Sequence, residues 1–220
     1  MKQPAWKTGL SYLTEIVLER GGSTLNPDLQ LSLKKGRYCL STPHAIYSYG
    51  DLYNNFRNAF RQIDNPQWQP REVLVLGFGL GSVPVLLEKT FGKKCRYTGV
   101  EADELIVGWA SGYVLPDLTS PIQLYLADAS VFVELNHEKY DLIVMDIFVD
   151  NKIPPSFETT GFLKKLNDQL NANGMIMYNR LAFSRKDTER SEIFFQQTFK
   201  AVFPTARIIK MRGNWMLLNL

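Results

Sequence analysis

Two cysteines and two histidines are all that 220 residues hold of the strongest metal-binding and redox side chains. Cys39 and Cys95 sit in apolar stretches with no spaced partner, which argues against a disulfide framework or a zinc cluster. His44 and His137 are too isolated for metal chemistry, and His137 in "LNHEKYD" reads as an exposed loop residue. Long apolar runs are missing too; none approaches the ~20 residues of a membrane span. The opening "MKQPAWKTGLSY" lacks the apolar core of a secretory signal, so with cysteine this scarce a cytoplasmic location is expected. Nor is there an excess of one charge: a net +3 gives little ground for a nucleic-acid partner.

What is present is material for a core. With 45% hydrophobic residues the chain is long and apolar enough for one α/β domain carrying a modest appendage. The charge is unevenly spread. Residues 71–179 carry nine Lys and Arg against fourteen Asp and Glu, and residues 180–212 carry eight against three. The basic tail reads as a solvated helix and hairpin in preference to a surface for an acidic substrate or RNA. Trp6, Trp68, Trp109 and Trp215 read as core or interface anchors.

Residues 1–69 look like short strands and one helix. "LSYLTEIVLER" reads as a strand or a short helix, and the alternation of Leu10, Tyr12 and Ile16 favours the strand, ended by Gly21-Gly22. "LQLSLKKGRYCL" alternates Leu29, Leu31 and Leu33, turns at Lys35-Gly36 and resumes, which predicts a hairpin. "DLYNNFRNAFRQI" places Leu52, Phe56, Ala59, Phe60 and Ile63 on one helical stripe, with Asp51 as the expected N-cap. "DNPQWQP" then acts as a linker.

From residue 70 to 220 strands and helices alternate. Apolar runs at "VLVLG", "RYTGVE", "IQLYLAD", "YDLIVMD" and "GMIMYN" suit a parallel sheet buried on both faces. The helical stretch "TTGFLKKLNDQL" is expected to close at "NANG". After "RSEIFFQQTFKAVF", two strands joined at Gly213-Asn214 predict a terminal hairpin and hence an antiparallel last strand.

In such a sheet, ligands bind outside the carboxyl ends of the strands. Each successive strand delivers something there. The first delivers "GFGLGS", with Gly77, Gly79 and Gly81 between an apolar strand and a helix. The second delivers Glu101, 24 residues beyond Gly77; the third delivers Asp128; the fourth delivers Asp146, with Asp150 just after. Glycines allow close backbone approach and free helix amides, and an acid ~20 residues on can accept from ribose hydroxyls. Asp128 could accept from an adenine amino group, and Asp146 would face the reacting end. Any one of these is an ordinary turn or cap residue; four in order point to a nucleoside site. Against NAD, the third glycine follows the second by two residues where the dinucleotide fingerprint needs three.

These segments resemble the spermidine synthase-like branch of the class I S-adenosylmethionine (AdoMet)-dependent methyltransferase superfamily. The likeness runs through "VLVLGFGLGS", "GVEADELIV", "LADASVFVELNHEKYDLIVMD" and "FLKKLNDQLNANGMIMYN", and "LKKGRYCLST" is similar to the small β-domain that precedes them in that branch. The resemblance implies an α/β Rossmann-like sheet after a small N-terminal β-hairpin region. It further implies a cofactor site drawn from Gly77, Phe78, Gly79, Leu80, Gly81, Glu101, Ala102, Asp128, Ala129 and Asp146. Glu101 would hold the ribose, Asp128 with Ala129 would contact adenine, and Asp103 matches the second acid of the family's V-E-I-D stretch.

Three departures separate the chain from polyamine synthesis. Leu80 stands where the family's glycine turn has an Asp that holds the aminopropyl amine; losing that charge-assisted partner costs ~2–5 kcal/mol. The family's D-S-S-D-P becomes "DIFVDNKIPP", so Asp150 follows Asp146 by four residues instead of three. Cys39 replaces a Gln, and no Tyr-His-Glu run follows it. The expectation is therefore an AdoMet-dependent methyltransferase, with Asp146 or Asp150 taking a proton or orienting an unidentified acceptor. An aminopropyltransferase using decarboxylated AdoMet and a catalytically silent binding protein stay open as alternatives. Tyr47, Tyr49 and Tyr53 in "YSYGDLY" would either form a substrate lid or knit the N-terminal hairpin to the main domain. "DIFVDNKIPP" would gate the substrate. A homodimer through the N-terminal hairpin edge is also expected.

Overall fold

The computed structural model describes residues 3–149 and 152–220, and Asp150 lies outside them. Two sheets organise the chain. The first is antiparallel, in the order β1-β2-β3-β4, from Ile16–Gly21, Leu29–Lys34, Arg37–Ser41 and Ile46–Ser48. The predicted hairpin is β2–β3, and its turn uses Lys35 and Gly36 at positive φ.

The second sheet has seven strands in the order β10-β11-β9-β8-β5-β6-β7. Its strands are β5 Glu72–Leu76, β6 Arg96–Glu101, β7 Ile122–Leu126, β8 Tyr140–Met145, β9 Leu170–Ala182, β10 Arg207–Lys210 and β11 Gly213–Leu218. Strands β5 to β9 pair in parallel, while β11 runs antiparallel to both β9 and β10. This is the mostly parallel Rossmann-like sheet with an antiparallel closing strand. Strand order reverses at β5, where β6 lies on one side and β8 on the other, so the carboxyl ends of β5 and β8 flank the crevice.

The continuous apolar runs follow from burial on both faces. Val73 and Val75 join Leu142, Val144, Met175 and Met177 in one core cluster. Their neighbours Leu74, Leu76, Ile143, Met145, Ile176 and Tyr178 point the other way into a second. The first cluster is capped by helix α2 (Asn54–Ile63), through Phe56, Ala59, Phe60 and Ile63, as its stripe predicts. Phe56 and Phe60 are fully buried, so truncating either to Ala costs about 3–5 kcal/mol.

Several local expectations need correction. Leu10 does not begin a strand: helix α1 spans Ala5–Leu10, and β1 starts only at Ile16. Ser11 instead serves the hairpin turn, its carbonyl accepting from Lys35 N and its hydroxyl from Gly36 N. Asp51 does not cap α2; its carboxylate pairs with Arg37, and Tyr53 precedes the helix without a side-chain cap. "NANG" does not end a helix in solvent. Helix α6 (Thr160–Asp168) stops at Gln169, and those residues already belong to β9, because parallel pairing to β8 begins at Leu170. The terminal hairpin turns through Arg212 and Gly213, the latter at positive φ, since Met211 N donates to Asn214 O. Gly213 also opens β11 by pairing with Ala182 of β9, and Asn214 lies in that strand. Trp6 is no core anchor: it is 69% exposed, on a helix that buries no residue.

Helix α3 (Ser82–Val85) follows β5 and continues as a wider π turn over Leu86–Thr90; α4 (Glu104–Trp109) does the same over Ala110–Val114. Helix α5 (Ala129–Leu135) follows β7, and α7 (Arg185–Phe194) follows β9. No helix among the described residues is long and apolar enough to cross a membrane.

Candidate functional site

The turn after β5 holds Gly77, Gly79 and Gly81 at positive φ. Gly77 is fixed by sterics as well as by φ, since a Cβ there would collide with the Asp146 carbonyl, 2.7 Å from its carbon. The glycine thus lets the ends of β5 and β8 touch. Gly77 N and Phe78 N both donate to Val100 O, at 3.0 and 3.1 Å, drawing in β6.

Above this turn lies a cavity of about 570 Å³, lined by Gly77, Gly79, Glu101, Ala102, Asp128, Ala129 and Asp146. The glycine turn and all three strand-end acids therefore share one hollow. Phe78, Leu80 and Gly81 are not among its lining residues. Phe78 is buried with its ring against Gly99 of β6, Leu80 is buried in the same core cluster, and Gly81 precedes α3 in the left-handed conformation.

Glu101 is held by backbone amides. Its Oε2 accepts from Gly79 N at 2.9 Å, and its Oε1 accepts from Ala102 N and Asp103 N at 2.9 and 3.2 Å. Burial pushes its carboxyl above the usual range, although these three amides pull it back. Asp128 caps α5: Oδ1 accepts from Ser130 N at 2.8 Å and Val131 N at 3.1 Å, and from the Ser130 hydroxyl. Burial works to raise Asp128, but the Ser130 and Val131 bonds outweigh it and hold the carboxyl below its ordinary value. All these bonds fall on one oxygen.

Asp103 does something else. Its Oδ1 caps α4 at Leu105 N and Ile106 N, while Oδ2 accepts from the Ser23 hydroxyl and, at 2.8 Å, from Asn26 Nδ2. Asn26 Oδ1 in turn accepts from Tyr47 OH at 2.9 Å, and both Asn26 and Tyr47 line the cavity. The N-terminal sheet thereby forms one wall. Ser48 and Ser82 hydroxyls meet at 2.6 Å, and Tyr49 N donates to Ser82 Oγ, fastening "YSYGDLY" to the start of α3. Tyr47 and Tyr53 reach the cavity; Tyr49 does not line it.

Asp146 is held by side chains. Asn179 Nδ2 donates to Oδ1 at 2.8 Å, and Tyr53 OH donates to Oδ2 at 3.1 Å. Burial pushes its carboxyl up to about 7; the Asn179 and Tyr53 bonds oppose this, and nearby Glu101 adds to it. Burial, with Asp146 beside it, also holds the Tyr53 hydroxyl well above its ordinary value. A carboxyl near neutrality at the floor of a cleft can accept a proton at working pH. Behind Asn179, Asn214 Nδ2 donates to Asn179 Oδ1 at 3.0 Å. Sequence reading passed over Asn26, Asn179 and Asn214. The one signal was a polar residue ending the apolar run "GMIMYN".

The remaining walls are partly apolar, with Ile46, Phe148, Pro154, Leu181 and Phe183 facing the same space as His44 and Arg212. Asp187 also lines the cavity, and its Oδ2 serves the capping box of α7 with Ser184. No group of three or more metal-ligating side chains gathers among the described residues, and both cysteines are free and buried.

A nucleoside fits this donor and acceptor set. The volume lies in the range of small-ligand sites. Glu101 keeps lone pairs for a diol, and Asp128 keeps a whole oxygen.

No protein-family model matches the chain. Curated relatives do. The sequence is 32% identical over 106 residues, 48% of this chain, to a probable polyamine aminopropyl transferase of Bifidobacterium longum, of which it covers 23%. It is 28% identical over 163 residues, 69% of this chain, to an N-terminal histidine N-methyltransferase of Emericella nidulans, of which it covers 28%. The chain spans only about half or less of the length of such relatives. Among solved structures, a probable spermidine synthase from Corynebacterium glutamicum superposes with a TM-score of 0.71 at 17% identity, over 92% of this chain and 78% of that one. Human methyltransferase-like protein 13, solved with S-adenosylhomocysteine (SAH), superposes with a TM-score of 0.56 at 23% identity, over 68% and 71%. The fold is thus the one shared by spermidine synthases and class I AdoMet methyltransferases. The relatives include both aminopropyl- and methyltransferases.

Proposed function

We propose that the chain is an AdoMet-dependent methyltransferase built on the spermidine synthase-like fold. The observation that carries this reading is the convergence of Gly77, Gly79, Glu101, Asp128 and Asp146 on one cavity. Glu101 would hold the ribose hydroxyls and Asp128 the adenine amino group. AdoMet supplies an activated methyl on a sulfonium, so the protein's task is mainly alignment and exclusion of water. Asp146 would orient the acceptor's nucleophile and take its proton, with Tyr53 and Asn179 setting the direction of its lone pairs. Asp150 remains the second candidate for that role.

Methyl transfer is favoured over aminopropyl transfer by the amine side of the cleft. Leu80 is buried in the core, so no acid faces the ligand from that position. Asp187 gives one carboxylate oxygen to the helix cap at Ser184, and the cation Arg212 lines the same space. Against a multiply charged amine stand Leu80 in place of an acid and the cation Arg212 on the cavity wall. The relation to curated aminopropyltransferases keeps the second reading in play: decarboxylated AdoMet as cofactor and putrescine as acceptor. Calorimetric titration of the full chain with SAH, AdoMet, decarboxylated AdoMet and methylthioadenosine separates the two. Tighter binding of SAH than of methylthioadenosine supports methyl transfer, and the reverse, with putrescine turnover, overturns it. Binding of none would leave a silent relative.

A further inference from the structure

The terminal hairpin looks like an element that merely closes the sheet, yet one of its side chains reaches the site. Asn214 pairs with Leu181 on β9, and Asn179 pairs with Met216 on β11. Asn214 and Asn179 are therefore diagonal neighbours on one sheet face, close enough for side chains to meet. Asn214 Nδ2 donates to Asn179 Oδ1 at 3.0 Å, and Asn179 Nδ2 donates to Asp146 Oδ1 at 2.8 Å. Asn179 is 1% exposed and Asn214 9%.

We infer that Asn214 is a positioning residue that locks the amide of Asn179 with its NH2 toward Asp146. A carboxamide has a donor end and an acceptor end, and nothing intrinsic decides which faces a given neighbour. An ionised Asp146 offers only lone pairs, so it needs the donor end. The acceptor end of Asn179 is then turned into the protein, where it needs a donor of its own. Asn214 supplies that donor. Without it, the reversed amide, with its oxygen against Asp146, loses less relative to the native one. Reversal would favour the protonated carboxyl, whose proton could then go to the amide oxygen. The other groups facing Asp146 are Tyr53, from the turn before α2, and Glu101, from β6. Among the described residues, the side-chain bonds of Asn179 run to Asp146 and Asn214.

The relay stands on hydrogen-bond geometry; its bearing on catalysis rests on the transferase reading above. The test therefore reads Asp146 directly. In the full chain with 13C-labelled aspartate carboxyls, the Asp146 signal is assigned by its loss in Asp146→Asn and titrated by NMR. Asn214→Leu, nearly isosteric and without a donor, is expected to raise the midpoint by about one pH unit. In an Asn179→Ala background the same change is expected to do nothing further. An unmoved midpoint in a folded Asn214→Leu, or an equal shift in both backgrounds, overturns the relay. Should the leucine variant not fold, Asn214→Asp carries the test. Its carboxylate draws Asn179 Nδ2 toward itself, so the shift must be larger with Asn179 present than with Ala. Equal shifts would reduce it to added charge and sink the inference. SAH binding, measured alongside, tests the transferase reading separately.

Discussion

On the β6–β7 side of the cleft, Glu101 and Asp128 are gripped by backbone amides, all adjacent in sequence save Gly79 N, 22 residues before Glu101. On the β8–β9 side, Asp146 is gripped by Tyr53 and Asn179, which lie 93 and 33 residues away in sequence. The first pair needs only main-chain donors, from the glycine turn and from the residues that follow each acid. The second exists only once two sheets and the last hairpin have assembled. Under the transferase reading, the backbone-held pair would serve the cofactor, whereas the assembled one could be retuned for an acceptor by distant substitutions.

The sharpest way to break this contrast is to damage the point where the two sides touch. Gly77→Ala places a methyl against the Asp146 carbonyl at a φ of +80°, and is expected to cost about 4 kcal/mol or more. Urea unfolding should show it, and a loss under 1 kcal/mol would mean that the β5 and β8 ends are not pressed together.

Next in size is the pH response of the assembled side. Asp146 is raised from the ordinary carboxyl range to about 7, so between about pH 4 and pH 7 the folded chain keeps a proton that the unfolded chain has released. Stability should fall as pH rises through that window. Asp146→Asn is expected to remove most of this slope, gaining about 2–4 kcal/mol on wild type at pH 8 relative to pH 4. Parallel stability curves for the two proteins would contradict the raised carboxyl.

The backbone-held side should respond through ligand. Under the methyltransferase reading, Glu101→Ala weakens SAH binding by about 10- to 100-fold in calorimetry. Unchanged affinity would detach Glu101 from the ribose. Smallest is the cap: Asp128→Ala should lower stability by about 1 kcal/mol whatever the ligand does, and a thermal melt checks it.

The same contrast explains what could be read from the chain beforehand. Strand-end acids at regular intervals are visible because sheet topology carries each successive β-strand to one edge. The β5 to β9 sheet was legible through its two-faced apolar runs, and α2 through its stripe. Asn179 and Asn214 gave almost no signal, since their meaning lies in a diagonal contact between β9 and β11. Asp51 misled because an Asp before a helix is a good cap only if no cation competes, and Arg37 does. "NANG" misled because pairing with β8 overrides local C-cap preference.

Asp103 carries a last consequence. One oxygen starts α4 and the other anchors Ser23 and Asn26 in the loop between β1 and β2. Shortening the protein to its larger sheet would strand half of that carboxylate without partners and loosen a helix far from the cut. The small sheet behaves less as a removable appendage than as a keystone set against the helix that follows Glu101.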